Sequence, residues 1–256
     1  MNWIFFVLVI AITAAVFATL VWLVRSFVRW HVREGHNDVL VPIFLTAGTL
    51  YAVLLAFLVI AVWETYGAAK DNAAEEASTL ATMYRQSQGM PKAEGDEMRS
   101  LLREYTEAVV NEEWAIQAAT GGASPKARHA VAELYRTYGK LPPAEANAPV
   151  SVEFLRTFST VAADRNRRTL QAGEGLPTVL WITLIGGAVI VVAMSLVLYM
   201  EVFWPHALMS GLMASLMVAM LVITLVLNRP FAGPLAIDAG SYEHSLSVFK
   251  SVDQGN

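Results

Sequence analysis

One face of an uncharged segment carries side chains whose order along a helix could conduct ions. Read at a seven-residue repeat, the segment Val39–Trp63 and the residue after it place two polar ends and an apolar middle on one line. The face consists of Thr46, Leu50, Val53, Phe57, Ile60 and Glu64. If several copies of this helix surrounded an axis, the face would provide a polar entrance, an apolar constriction and an acidic exit, as in a pore gated by dewetting. The alternative is that these side chains only contact neighbouring helices or lipid.

A second pattern, in the last apolar segment, favours close packing of helices. Small residues recur there at every fourth position, at Ala207, Gly211, Ser215 and Ala219. Such residues let helix backbones approach closely, either within one subunit or between subunits. The neighbouring stripe of methionines is interpreted as adaptable packing. A copper site is not expected, because copper-binding methionines are normally accessible to water and accompanied by His or Cys.

Three arginines at four-residue spacing form a basic stripe just after the first apolar segment, at Arg25, Arg29 and Arg33. The simplest interpretation is contact with lipid headgroups. The alternative is an electropositive vestibule for anions. Because the stripe favours anions and Glu64 favours cations, the sequence leaves the ion selectivity open.

The sequence lacks the motifs of catalysis, metal binding and active transport. It has no cysteine, its five histidines lack metal-site spacing, and no G-x-S-x-G, P-loop, H-E-x-x-H or kinase motif occurs. The apolar segments hold no acidic or basic residue in their interiors, although pumps and ion-coupled transporters usually need one. We therefore expect neither an enzyme nor an active transporter, and no cofactor or metal. Without a basic run, nucleic acid is not an expected partner.

These patterns lie on four uncharged segments that are long enough to cross a bilayer. Only 16% of the residues are charged, against about 25% in soluble domains. The segments are Trp3–Val24, Val39–Trp63, Leu176–Met200 and Ala207–Leu227. Each has about 20 or more mostly apolar residues, which matches a hydrocarbon core of roughly 30 Å. The first is expected to be a retained helix, because no Lys or Arg precedes it and its apolar run is longer than that of a signal peptide.

Most of the charged residues lie between the second and third segments, in residues 67–175. Glycine and proline breakers divide this insert, and the apolar residues between them recur at helical spacing, which predicts a bundle of four helices. Ser124 is expected to cap one helix with Pro125 at its first position, and Ser151 to cap the last. The Lys and Arg beside the segments favour a cytoplasmic insert and cytoplasmic termini, although the basic stripe argues the other way.

No glycine–proline break separates the second segment from the insert, and only Gly67 interrupts the helical pattern. A continuous helix from Leu40 to about Gln88 would be roughly 70 Å long. Such a helix would couple a membrane-spanning face to the bundle, and in an oligomer it would extend the pore beyond the bilayer. Gly67 would then be a hinge that costs about 1 kcal/mol relative to alanine.

Three stretches of the chain resemble a bacterial family of uncharacterised four-span membrane proteins called bestrophin-like. They are LYAVLLAFLVIAVWETY (Leu50–Tyr66), AAEEASTLATMYR (Ala73–Arg85) and NRPFAG (Asn228–Gly233). The resemblance covers nearly the whole chain, and it marks Arg229, Pro230, Phe231 and Gly233 as the family's tail motif. The order of two spans, a helical insert, two spans and a short tail also resembles, more distantly, that of the bestrophin ion channels.

Bestrophins are pentameric ion channels whose second membrane helix lines the pore with an apolar neck. The resemblance therefore implies a neck at Leu50, Val53 and Phe57, and a pentamer. The chain lacks the proline- and phenylalanine-rich neck motif of true bestrophins. Its Asp238 and Glu243 are too sparse for an acidic calcium clasp, so calcium gating is not expected.

The sequence thus predicts an all-α, polytopic membrane protein with four transmembrane helices and a helical cytoplasmic bundle between the second and third. The expected division is 1–66 for the first two helices, 67–175 for the insert, 176–228 for the last two helices and 229–256 for the tail. The expected function is a homo-oligomeric passive ion channel of the bacterial inner membrane, whose partners are the lipid bilayer, inorganic ions and its own copies. The alternative is a non-conducting protein whose bundle docks a partner, which an exposed apolar patch on the bundle would favour.

Overall fold

The computed structural model describes residues 3–27 and 34–255, and within these two ranges every regular element is a helix. The all-α fold class is therefore confirmed. Ten α-helices follow one another in the described chain: α1 Trp3–Phe27, α2 Asn37–Gln86, α3 Lys92–Ala108, α4 Trp114–Thr120, α5 Pro125–Gly139, α6 Pro143–Ala146, α7 Pro149–Gly173, α8 Thr178–Val197, α9 Phe203–Leu227 and α10 Gly240–Asp253. Arg29 and Arg33 of the basic stripe, and the side chain of Arg25, lie outside the described residues.

The chain divides into two compact units. The first comprises Met1–Glu64 and Leu176–Asn228, and so contains α1, the first part of α2, α8 and α9. The second comprises Thr65–Gly175 and Arg229–Asn256, with the rest of α2, α3 to α7 and α10. The C-terminal stretch, expected as a tail of its own, thus belongs to the second unit.

The first unit is built from helices that suit a bilayer. The helix that begins at Asn37, together with α8 and α9, is long and apolar enough to cross a membrane. Helix α1 has 25 residues, and its described side chains include the apolar stretch Ala11–Leu23. Large apolar side chains cover the outside of these helices. Since such surfaces are unfavourable in water, lipid or further protein must cover them, and the chain is a membrane protein.

Helices α2 and α8 pack together through an apolar seam in the first unit. It consists of Tyr51, Leu55 and Leu58 from α2 and Leu184, Ala188 and Val191 from α8. A Cβ atom at Gly187 would lie 2.6 Å from Cδ2 of Tyr51. This approach requires a residue without a side chain, which explains the glycine in an otherwise apolar helix.

Helix α2 is a single helix of 50 residues, with ends close to those expected from the sequence. Its helical structure continues through Gly67. A Cβ atom added at Gly67 would meet nothing within 4 Å. Packing therefore does not require glycine at this position.

The second unit is a helical bundle around one apolar core. Five helices contribute the largest buried side chains of this core: Leu80, Met83 and Tyr84 of α2, Met98, Leu102 and Tyr105 of α3, Leu134 of α5, Phe154 and Phe158 of α7, and Tyr242 and Phe249 of α10. Ser124 caps α5 as expected, because its Oγ accepts hydrogen bonds from the backbone nitrogens of Lys126 at 3.1 Å and Ala127 at 3.3 Å. Ser151 is not the cap of α7, since this helix begins at Pro149 and its N-cap is Ala148.

Helix α10, which was not predicted from the sequence, packs against the core of the second unit. Its buried residues Tyr242, Ser245, Phe249 and Val252 form one face. The ring of Phe249 stacks on that of Tyr84, with centroids 4.1 Å apart. Ser245 Oγ donates a hydrogen bond of 2.7 Å to the carbonyl oxygen of Ala77. Spacings of three and four residues were the signal that could have revealed this helix.

Candidate functional site

The six residues of the candidate conduction face all lie on the outer surface of the single chain. Thr46, Leu50, Val53, Phe57, Ile60 and Glu64 are exposed. Leu50 and Phe57, in the apolar middle, have exposed fractions of 69% and 68%. The face is therefore available to another molecule along its whole length, because none of the described residues encloses it.

The position of this face follows from the packing of α2 against α8. At about 100° per residue, the six side chains point roughly 140–220° away from Leu55, which lies in the seam with α8. One side of α2 is thus used for folding, and the opposite side carries the candidate face. Between Thr46 and Glu64 the helix rises about 27 Å, close to the roughly 30 Å of a bilayer core. The two polar ends are separated by about the thickness of the hydrocarbon layer.

The polar end at Thr46 presents oxygen rather than a hydroxyl donor. Thr46 Oγ1 donates a hydrogen bond of 2.8 Å to the carbonyl oxygen of Pro42 in its own helix, and Thr49 does the same to Leu45. Because each hydroxyl proton is engaged, the remaining capacity of these oxygens is as acceptors. Acceptor oxygens and the Glu64 carboxylate are groups that suit a cation.

The small-residue stripe of α9 lies against α1 of the same chain. Gly211 approaches Ala14 so closely that a Cβ atom there would lie 3.4 Å from the Ala14 carbonyl oxygen. Ala207, Gly211 and Ser215 are buried, and Ala219 is partly buried. On the neighbouring stripe, Met213, Met217 and Met220 pack against the seam between α2 and α8. The methionines thus contact apolar side chains.

A buried ion cluster, which the sequence analysis missed, lies in the second unit. Arg168 of α7 donates from Nε to Glu76 Oε2 at 2.8 Å and from Nη2 to Glu76 Oε1 at 3.1 Å. Its Nη2 also donates to Glu113 Oε1 at 2.9 Å. All three side chains are fully buried. Arg165 supplies a second cation, donating to Glu113 Oε2 at 2.8 Å, so two arginines balance two carboxylates.

Neutral and aromatic groups complete the surroundings of this cluster. The Tyr105 hydroxyl donates to Glu76, and the rings of Trp114 and Tyr242 lie 5.4 and 5.5 Å from the Arg168 guanidinium carbon. Burial, with the nearby Glu76 carboxylate, raises the pKa of both tyrosines well above its usual value. Burial alone would lower the pKa of Arg168, but the Glu76 carboxylate raises it well above its usual value. The tyrosines therefore stay neutral and the arginine stays charged.

A local distortion of the helix backbone brings Glu113 into this cluster. The five residues Val109–Glu113 form a π-helical turn between α3 and α4. The backbone N–H of Ser124 donates to Glu113 Oε2 at 2.8 Å. The sequence contains one sign that Arg168 is buried. Arg168 lies at helical spacing from the apolar residues Phe154, Phe158 and Val161, on the same face of the helix.

The tail motif forms a turn that packs beside the cluster in the second unit. Phe231 is buried and meets Trp114 edge-on, with ring centroids 5.5 Å apart. The Pro230 carbonyl oxygen accepts a hydrogen bond of 2.8 Å from the backbone N–H of Ile237. Gly233 has φ +88°, a conformation that favours glycine, while Arg229 is exposed. In the first unit, Asn228 Oδ1 accepts a hydrogen bond of 2.7 Å from the backbone N–H of Leu176.

Across residues 3–27 and 34–255, as far as their side chains are described, no three His, Asp or Glu residues are grouped so that they could hold a metal ion. The candidate site is thus a helix face with two polar ends, and the buried cluster is a structural neighbour of the tail motif. Neither arrangement contains a nucleophile paired with a base.

Comparisons with known proteins agree with this architecture. A family model described as the Bestrophin-like domain matches residues 11–242. A solved bacterial bestrophin homologue from Klebsiella pneumoniae is 14% identical, with 98% of this chain and 97% of that chain covered and a TM-score of 0.70. Two further structures of a Klebsiella pneumoniae bestrophin homologue each carry one mutation. The first has a TM-score of 0.70 and 12% identity, and covers 96% of this chain and 97% of that chain. The second has a TM-score of 0.69 and 13% identity, and covers 96% of this chain and 98% of that chain. At these identities the likeness shows the fold alone. No curated protein matches the sequence significantly.

Proposed function

Because the chain belongs to the bestrophin-like family, we propose that it is an oligomeric ion channel whose conduction path is lined by α2. The observation that carries the proposal is the α2 face itself. All six of its residues point away from the packing seam with α8 and are exposed in the single chain. The face has polar ends about 27 Å apart and four large apolar side chains between them, at Leu50, Val53, Phe57 and Ile60.

A conduction path lined by this face requires several copies of the chain. One copy leaves the face open on one side, whereas a ring of copies around an axis brings the faces together and closes the path. The apolar residues then form a constriction that excludes water when it is narrow, and this dewetting closes the path to ions. A homo-oligomeric ring, a pentamer by analogy with bestrophins, is the assembly that this proposal requires.

Glu64 supports cation conduction. In a ring of copies, one exposed carboxylate per subunit at the end of the constriction would form a circle of negative charge, which concentrates cations and repels anions. The Thr46 oxygens at the other end are acceptors, which also suit cations.

The Lys and Arg residues beside the spans favour an orientation with the second unit in the cytoplasm, in a bacterial inner membrane.

A docking protein is the second candidate, and the surface of the second unit argues against it. Its exposed large apolar side chains, among the residues described, are Tyr135, Val152, Leu170 and Leu235. Val152 and Leu170 lie on α7 but about 27 Å apart along it. Single exposed apolar residues are normal on soluble surfaces and do not make a docking patch.

The test is ion flux into liposomes that hold the purified protein, with the subunit number determined on the same sample. Flux of sodium or potassium from a ring-shaped oligomer is the expected result. A monomer or dimer without flux, in which Phe57→Ala also fails to open a path, would refute the channel and leave the docking protein. The Phe57 variant is needed because a closed wild-type gate would otherwise give the same silence.

A further inference from the structure

A cavity of about 290 Å³ opens among the ends of α2, α8 and α9 in the first unit. Its walls are mostly apolar and include Val41, Phe44 and Met209. The polar residues Ser195 and His206 also line it. The cavity lies where α2 and α9 begin and α8 ends, at the opposite end of these helices from Glu64 and Asn228.

One wall of the cavity is fixed by a two-point clamp. Asn37 Nδ2 donates a hydrogen bond of 2.9 Å to the carbonyl oxygen of Tyr199, and the backbone N–H of Tyr199 donates one of 3.0 Å to Asn37 Oδ1. Both residues line the cavity. This clamp ties the beginning of α2 to the segment between α8 and α9, so the wall is formed before any ligand binds.

His206 leaves a buried hydrogen-bond acceptor at this cavity. Its side chain is 6% exposed, and its Nε2 lies 3.0 Å from the carbonyl oxygen of Ser195. A carbonyl oxygen can only accept, so Nε2 carries a hydrogen. In the neutral tautomer with its hydrogen on Nε2, Nδ1 keeps a lone pair that can accept a hydrogen bond. Within the described part of the chain, Nδ1 has no hydrogen-bond partner. A buried acceptor of this kind favours a ligand that brings a donor.

We propose that this cavity binds a membrane phospholipid, with part of an acyl chain against the apolar wall and a headgroup donor on Nδ1 of His206. The first unit is made of helices that span a bilayer, so lipid is the molecule that surrounds the cavity. Met209, which lines the cavity, has an exposed fraction of 63%. Trp204 is 74% exposed near the beginning of α9, as is typical of the headgroup level of a membrane.

The size of the cavity limits how much of the lipid it takes. A volume of about 290 Å³ equals roughly ten water molecules, which suits a short length of acyl chain and one polar group. The rest of the lipid would stay in the bilayer. A lipid whose headgroup has a hydroxyl or an ammonium can reach Nδ1 with a donor, whereas the phosphocholine headgroup has no donor at all.

The first test is photo-cross-linking of the reconstituted full-length protein to phospholipids with a photoactivatable acyl chain, followed by peptide mapping. We expect cross-links on peptides from the beginning of α2 and from the segment between α8 and α9. Val41→Trp should fill the cavity and reduce these cross-links about tenfold. The matched control Ile43→Trp, at an exposed position of the same helix outside the cavity, should leave them unchanged.

A second pair on α9 decides the question if Val41→Trp does not fold. Met209 lines the cavity and Leu208 does not, although the two side chains are equally exposed. Met209→Trp should reduce the cross-links and Leu208→Trp should not. Equal cross-linking in a lining variant and its control, or no cross-link on the cavity peptides, would overturn the proposal.

The headgroup test addresses His206 directly. Competition between phosphatidylethanolamine or phosphatidylglycerol and phosphatidylcholine should favour the donor lipids about fivefold, as for one net hydrogen bond. His206→Phe should abolish this preference while acyl-chain cross-linking continues. If that variant does not fold, the competition in the wild-type protein decides the question alone. Equal competition by phosphatidylcholine in the wild type would remove His206 from the site.

Discussion

Replacement of Arg168 by methionine should destabilise the second unit far more than an ordinary surface substitution. The variant removes three hydrogen bonds to carboxylates, two on Glu76 and one on Glu113. Glu113 keeps its bond from Arg165, whereas Glu76 keeps the neutral Tyr105 hydroxyl and, among the described residues, has no ion pair left. A fully buried carboxylate would thus lose its cation, and breaking such a pair costs about 3–5 kcal/mol.

This loss can be measured in the intact protein by hydrogen exchange of backbone amides. At about 1.4 kcal/mol per tenfold change, the exchange of core amides in α3 and α7 should accelerate by roughly two to four orders of magnitude. Exchange is preferable to a melting temperature, because membrane proteins commonly unfold irreversibly. The amides of α8 and α9 serve as an internal reference, since Arg168 lies in the other unit.

Arg156→Met is the matched control on the same helix. Arg156 also binds a carboxylate through two bonds, from Nε to Glu153 Oε2 at 2.9 Å and from Nη2 to Oε1 at 2.7 Å, but this pair is exposed to water. Its removal should leave exchange unchanged within error. The double variant Glu76→Gln with Arg168→Met should recover part of the loss, because no buried charge is then left uncompensated at Glu76. Equal exchange in the Arg168 and Arg156 single variants would refute the cluster as a source of stability.

Three further predictions concern α2. Phe57→Ala should raise ion flux in liposomes by widening the constriction, whereas Leu45→Ala, about 120° away from Phe57 around the helix, should not. Unchanged flux in the Phe57 variant would remove Phe57 from the pore. Glu64→Gln should lower the ratio of sodium to chloride flux if the carboxylates form a ring, and an unaltered ratio would place selectivity elsewhere. Gly67→Ala should stabilise α2 by about 1 kcal/mol, because a Cβ atom at this position meets nothing within 4 Å. The stabilisation should be seen as slower amide exchange around residue 67. If bending at Gly67 is needed for gating, ion flux should fall in the same variant.

Periodicity and composition predicted the helices because the chain uses a helical spacing almost everywhere. The uncharged segments became α1, the first part of α2, α8 and α9, and the breakers of the insert lie at the ends of its helices. Helix α10 was missed because five of its residues are serine or glycine, and such a polar composition obscures the apolar positions at 242, 249 and 252. The buried cluster was missed for a different reason: a charged residue on an apolar stripe reads as exposed until its partners from other helices are known.

The candidate face could be named from sequence, but its orientation could not. A seven-residue repeat can be drawn on several faces of an apolar helix, since almost every position is apolar. The structure gives the missing information through Tyr51, Leu55 and Leu58, which pack against α8 and leave the opposite side exposed. Contact of the exposed side of α2 with lipid or with other copies is decided by the assembly, and no local pattern in α2 distinguishes the two.

The stretches that resemble the family report on different parts of the molecule. The motif AAEEASTLATMYR contributes buried residues to the bundle core and its ion cluster: Ala73, Glu76, Ala77, Leu80 and Tyr84. In NRPFAG, the buried Phe231 packs on Trp114 beside that cluster. These two motifs therefore specify folding of the second unit. Only LYAVLLAFLVIAVWETY contains candidate pore residues, and it also contains the seam that packs on α8. A match to the motifs thus identifies the fold directly, whereas the proposed conduction path uses the exposed half of that one stretch. Phe57 and Glu64 therefore need their own measurements.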